Sequence, residues 1–109
     1  MALNPVPLTR SNVHTILEYF SELLWQQFHQ KIRLVVHGGI VMVLHPRLQC
    51  RAATRDIDFI LRSFITDLAT FPDAEYRLKS CIKATADRFH LGGDWMNSDP
   101  DVALPWAQE

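Results

Sequence analysis

Residues 37–61 read HGGIVMVLHPRLQCRAATRDIDFIL, and the fold turns on this stretch. The β-prone run Ile32-Arg33-Leu34-Val35-Val36-His37 leads into it and is stopped by Gly38-Gly39, which predicts a buried strand over 32–37. Ile40 to Leu44 is apolar and ends at His45-Pro46, because the residue before a proline disfavours the helical region. A short helix beginning at the glycine pair is therefore expected. Arg47 to Arg55 is a polar, basic connection, and Asp56-Ile57-Asp58-Phe59-Ile60-Leu61 alternates as a second strand.

Outward from this stretch the periods lengthen. Val13, Ile16, Leu17, Phe20, Leu23, Leu24 and Phe28 recur at three- and four-residue steps, which predicts a long amphipathic helix capped by Thr9 or Ser11. A loop is expected to run on to Pro72. Asp73 then caps a second long helix whose apolar face is Ala74, Leu78, Cys81, Ile82, Thr85 and Phe89, and Leu91-Gly92-Gly93 ends it. Residues 1–8 read as an extended lead-in and 94–109 as an irregular tail. The order helix, strand, helix, strand, helix is an α/β (α+β) arrangement with a small mixed sheet. Two strands alone are marginal in water. Either Val102-Ala103-Leu104 adds a third strand, or a partner covers the sheet edge, with homodimerisation through that edge as the expected form.

Composition narrows the function classes. The chain has 109 residues, 48% of them hydrophobic, and a formal charge of −1, which suits one small globular domain. With charges balanced, no overall field draws it to nucleic acid or an anionic membrane, so any phosphate contact must be local. Its longest aliphatic run, Ile40–Leu44, is five residues, far below the roughly 20 of a membrane span. The start, MALNPVPLTR, lacks the apolar core of a secretory signal, so a cytoplasmic protein with reduced Cys50 and Cys81 is expected. Neither cysteine has a neighbouring base that would make it a nucleophile.

Two features carry chemistry. Residues two apart on a strand share a face, about 6.6 Å apart at roughly 3.3 Å per residue. Asp56, Asp58 and Ile60 then lie on one face, with Ile57, Phe59 and Leu61 on the other. Neighbouring carboxylates repel, and oxygen ligands so spaced suit Mg²⁺ or a similar divalent ion. The ordinary alternative is an edge strand with two solvated aspartates. Gly38-Gly39, between strand and helix, lets an anion approach free backbone N–H groups with no Cβ in the way. Its ordinary alternative is a tight turn without a ligand. The pair is neither a GxGxxG fingerprint nor a P-loop.

Taken together, the glycine pair, the short helix and Thr54-Arg55-Asp56-Ile57-Asp58 resemble the nucleotidyltransferase superfamily, and in particular its small domains of the toxin–antitoxin type. In that group a Gly-Gly turn is followed by a helix and then by an R-x-T-x-D-I-D strand. LGGDWMNSD, residues 91–99, is similar to the segment that follows the third helix there. The likeness covers about residues 31–99, and implies one nucleotidyltransferase-like domain over 1–109, in a shortened form. It implies that Gly38 and Gly39 hold nucleotide phosphates and that Asp56 and Asp58 are the catalytic carboxylates that bind Mg²⁺ or Mn²⁺. Thr54 and Arg55 then form a polar approach to the nucleotide. The implied reaction is attack by an RNA, protein or small-molecule hydroxyl on the α-phosphate of a nucleoside triphosphate. A nucleotide- or partner-binding module without catalysis, regulatory or antitoxin-like, is the alternative.

Two departures from the group's pattern stand out. Its arginine two places before the threonine is Ala52 here, with Arg51 one place earlier. Its third carboxylate, on a third strand, has only Asp99 and Asp101 as candidates by position. Arg47, Arg51, Arg55 and Arg62 flank the predicted site, as phosphate contacts or as a solvated basic loop; Trp95 and Trp106 either pack the tail onto the helices, the expected form, or stack on a base; and His37, just before the glycines, either faces the nucleotide or sits in the core.

Overall fold

Nineteen residues of unbroken helix open the structure, held at the start by side chains that the sequence supplies in pairs. The computed structural model of the chain describes residues 4–44 and 53–98. Leu8–Thr9 form β1 and Arg10–Phe28 form α1. Thr9 Oγ1 accepts from the Asn12 backbone N–H at 3.3 Å, and Asn12 Oδ1 accepts from the Thr9 N–H at 2.8 Å. This is a reciprocal capping box with an amide in place of the usual Glu or Gln. Val13, Ile16, Phe20, Leu24 and Phe28 form the buried stripe.

The middle of the chain keeps the expected strand, helix and strand but departs from expectation twice: of 32–37 only the last two residues are a strand, with Val35 and Val36 exposed rather than buried, and a further two-residue strand lies within the expected polar connection. Val36–His37 form β2, Gly39–Leu44 form α2, Ala53–Thr54 form β3 and Ile57–Phe59 form β4. Ile57 and Phe59 are buried and Asp58 between them is half-buried, so the alternation expected from sequence is present over these three residues. It stops there, because Ile60 flanks a helix, α3, over Leu61–Asp67. A loop was expected over most of that span. Leu61, Phe64, Ile65 and Leu68 have helical spacing, and Phe64 turns in to meet Phe28 edge-on at 5.8 Å.

Ala74–Phe89 form α4, as its period predicts. Asp73 occupies the N-cap position, but at φ 55° and with no side-chain hydrogen bond to the helix. The C-terminus also differs from expectation. His90, not a glycine, takes the left-handed conformation, and the Leu91 N–H reaches back to the Ala86 carbonyl. Met96–Asn97 form β5. The third strand therefore comes from the segment expected to be irregular, whereas Val102-Ala103-Leu104 lies outside the described residues.

A three-stranded mixed sheet runs β2-β4-β5. β2 pairs antiparallel with β4, setting His37 against Asp58, and β5 pairs parallel with β4, setting Asn97 against the same Asp58. β1 and β3 form a separate antiparallel pair, so the lead-in is not merely extended. α1 packs on α4, and Trp95 closes the core between them, fully buried, edge-on to Phe20 and donating Nε1–H to the Ile82 carbonyl at 2.9 Å. Trp95 thus packs the tail onto the helices, as expected. Trp106 lies outside the described residues. Among the described residues, no helix is long and apolar enough to cross a membrane.

Candidate functional site

Gly38 and Asp58 meet at one end of the sheet. Gly38 links β2 to α2 with φ 82°, a left-handed conformation that glycine adopts without a steric penalty. A Cβ built on it would stand 2.9 Å from Asp58 Oδ2. Two constraints therefore demand glycine here, the backbone angle and the carboxylate beside it. Gly39 is the first residue of α2, so only the first glycine of the pair bears the unusual angle.

The antiparallel register brings Asp58 to this place. His37 is its direct cross-strand partner, and Gly38 follows His37 in the chain. The Asp58 carboxyl is raised above its ordinary value, first by burial and then by the negative charge of Asp56, while His37 acts in the opposite sense. Asp56, just before β4, thus acts on Asp58 within it. Both are half-buried and Gly38 is exposed, so the carboxylates open to solvent beside the turn.

The other residues expected at the site are placed differently. Thr54 is buried, and its hydroxyl donates to the Asp56 carbonyl at 3.3 Å, fastening the turn between β3 and β4. Arg55 is exposed and donates Nη1–H to the Pro5 carbonyl at 2.9 Å. Arg47, Cys50, Arg51, Ala52, Asp99 and Asp101 lie outside the described residues. Cys81 is buried, and burial pushes its thiol upward, as suits a core residue rather than a nucleophile.

Two asparagines matter here and were missed from sequence. Asn4, 3% exposed, donates to the Val6 and Arg55 carbonyls and accepts from the Val6 and Gly92 N–H groups. It ties the lead-in to the residue before Asp56 and to the turn after α4. The Asn-Pro start of the lead-in was a readable signal, since an Asn that bonds two residues on makes an Asx-turn. Asn97 sits beside Asp58 on β5, and its Nδ2 donates to the Asp94 carbonyl at 3.1 Å.

Chemically, the site offers the Asp58 carboxylate against bare backbone, with the charge of Asp56 acting on it and an imidazole and an amide on the flanking strands. Among the described residues, no group of three or more His, Cys, Asp or Glu side chains is gathered as a metal site. Compared with known protein families, with curated proteins and with solved structures, the chain matches none.

Proposed function

We propose that this chain is a nucleotidyltransferase-like domain that binds a nucleoside triphosphate together with Mg²⁺ or Mn²⁺ at Gly38, Asp56 and Asp58, and transfers the nucleotidyl group to an acceptor hydroxyl of an RNA or a protein: the hydroxyl oxygen bonds to the α-phosphorus, its proton is lost to solvent, the α–β phosphoanhydride bond breaks and pyrophosphate leaves. The observation that carries this reading is the contact between the two motifs. Asp58 Oδ2 lies 2.9 Å from the position of an absent Gly38 Cβ. A carboxylate and a side-chain-free turn are thereby set at one exposed place, as a phosphate and its cation require.

The residues present fit the ion. Mg²⁺ in phosphate sites is commonly held by one or two carboxylates, with water and phosphate oxygens filling the other positions. Asp56 and Asp58 supply that number, and burial, with the negative charge of Asp56 added to it, raises the Asp58 carboxyl. When bound, the ion neutralises phosphate charge and orients the oxygens. Gly38 leaves room for the triphosphate to approach. Arg55, fastened to Pro5, and Thr54, turned inward, serve in this reading as supports of the β3–β4 turn.

A second reading keeps the binding and removes the transfer. It is favoured by Asn97, which holds the place beside Asp58 on the third strand with an amide rather than an acid. The domain is then a nucleotide-sensing regulatory or antitoxin-like module.

Thermal denaturation with Mg²⁺ and each of the four nucleoside triphosphates tests the binding. A rise in Tm that disappears in Asp56→Ala and Asp58→Ala is expected, and no rise with any of the four rejects it. Incubation with α-labelled triphosphates and candidate acceptors separates the two readings. Transfer of label supports the enzyme, and its absence from a protein that binds nucleotide supports the module.

A further inference from the structure

β2 is an outer strand of the mixed sheet, with β4 on one side and, among the described residues, no strand on the other. The Ile60 N–H donates to the Val35 carbonyl at 2.9 Å, which carries the β2–β4 ladder one residue back from Val36. Main-chain groups alternate sides along a strand. With Val35 turned to β4, Val36 turns its N–H and carbonyl to the open side. The alternation of side chains runs further back. Ile32 and Leu34 pack partly on the core, whereas Arg33 and Val35 are exposed. Val35 is 45% exposed and Val36 38%, so the edge is apolar on both faces. Proline and charge are the usual guards of such an edge. Residues 32–36 contain no proline, and their one charge is Arg33.

This edge is complementary to itself. In an antiparallel pair, residues that turn their main-chain groups outward must meet residues that do the same. Leu34 and Val36 of one copy then meet Leu34 or Val36 of another, which leaves two-fold registers centred on Leu34, Val35 or Val36. Centring on Val36 sets Leu34 against Gly38, whose φ of 82° has already left the strand. Centring on Leu34 sets the Arg33 charge against Val35. Centring on Val35 matches every position: Val35 meets its own copy, Leu34 meets Val36, and Arg33 meets His37. His37 is in register with Asp58 on its other side, and residues in register project to one face. Arg33 of each copy thereby joins the row that holds the acidic Asp58 of the other.

We infer that the chain forms a two-fold dimer by antiparallel pairing of its β2 edge with that of a second copy, with the axis at Val35 and with Arg33 of each copy set beside His37 and Asp58 of the other. The charge that would repel most strands from this edge finds an acid only on a copy of the same chain. The pairing does not depend on the proposed nucleotide site.

Light scattering after gel filtration of the full chain tests this, without metal or nucleotide. The parent is expected to be a dimer at tens of micromolar, and a monomer there overturns the pairing. Val36→Pro removes an outward N–H and leaves the ladder to β4 intact, a position at which an edge strand tolerates proline. It is expected to be a folded monomer, and a folded Val36→Pro dimer overturns the proposal. Should Val36→Pro not fold, Val35→Glu sets like charges against each other at the axis and is expected to weaken dimerisation about tenfold or more. A Val35→Glu dimer as tight as the parent overturns the pairing. Oxidation reads the register. Val35→Cys meets its own copy at a Cα separation of about 4.5 Å, within the reach of a disulfide. It is expected to form linked dimers more readily than Val36→Cys or the parent, which carries the same Cys50 and Cys81. Equal or greater linking by Val36→Cys overturns the axis at Val35 and, with it, the place of Arg33.

Discussion

Asp58 Oδ2 lies 2.9 Å from where a side chain at Gly38 would begin, so the carboxylate rests on bare main chain at the end of the sheet. This contact joins residues twenty positions apart, and it exists because the antiparallel register puts His37 opposite Asp58. Position 38 is thus constrained both by its own φ of 82° and by its neighbour.

Gly38→Ala is expected to lower stability by about 1–3 kcal/mol, the cost of a strained left-handed residue, with a further loss from the clash with Asp58. In an Asp58→Ala background the clash is gone and only the strain remains, so the cost of Gly38→Ala becomes smaller. Gly39→Ala, at a helical position, is expected to be neutral or mildly stabilising. Urea denaturation of the four variants measures all of this, and an equal Gly38→Ala cost in both backgrounds would show that the carboxylate is not the obstacle.

The raised Asp58 carboxyl makes a prediction about pH. A carboxyl whose folded value exceeds its unfolded value binds more protons in the folded state, so stability falls as pH climbs from the ordinary carboxyl range through the raised value. Asp58→Asn removes this loss. The Tm difference in favour of Asp58→Asn is expected to widen from about pH 4 towards about pH 7. A constant difference across that range would contradict the shift.

Asn4→Ala leaves the buried Gly92 N–H and the Arg55 carbonyl without the partners they have now. The expected loss is about 2–3 kcal/mol, as for unsatisfied buried polar groups. Chemical denaturation checks it, and a loss within experimental error would exclude Asn4 as a fastening point.

Trp95→Ala is expected to cost about 3–5 kcal/mol, the scale of emptying a large core site. Trp95→Phe costs less and chiefly loses the hydrogen bond from the indole N–H to the Ile82 carbonyl. If Trp95 stacked on a bound base instead, Trp95→Phe would change nucleotide affinity and leave stability alone.

The long helices and the first two strands of the sheet were legible because each depends on a local period. Val13 to Phe28 and Leu78 to Phe89 are spaced for one helix face, and Ile57-Asp58-Phe59 alternates. α3 was hidden because its first residue, Leu61, also continues the strand alternation. The helical spacing of Leu61, Phe64, Ile65 and Leu68 competes with that alternation over a short span, and the packing of Phe64 on Phe28 accompanies the helix. β5 was hidden for a different reason. Met96-Asn97 is too short to show a period, and it becomes a strand only because the Ile57 N–H meets the Trp95 carbonyl at 2.7 Å. At the candidate site, Gly38, Asp56 and Asp58 were readable as residue types, and their contact was not, since it depends on register. Thr54 and Arg55 enter the expected site only through the family resemblance, whereas their hydrogen bonds run to main-chain carbonyls of the turn and the lead-in.

The bond between Asn4 and Gly92 spans 88 positions and has a consequence for synthesis. As the chain leaves the ribosome, α1 can form at once, but Asn4 has no Gly92 to close on and β4 has no parallel neighbour until residues 92–97 have emerged. Such distant pairings close slowly. The carboxylate end of the sheet is accordingly among the last parts to set, and a nascent chain halted before Met96 would still lack the outer strand that carries Asn97.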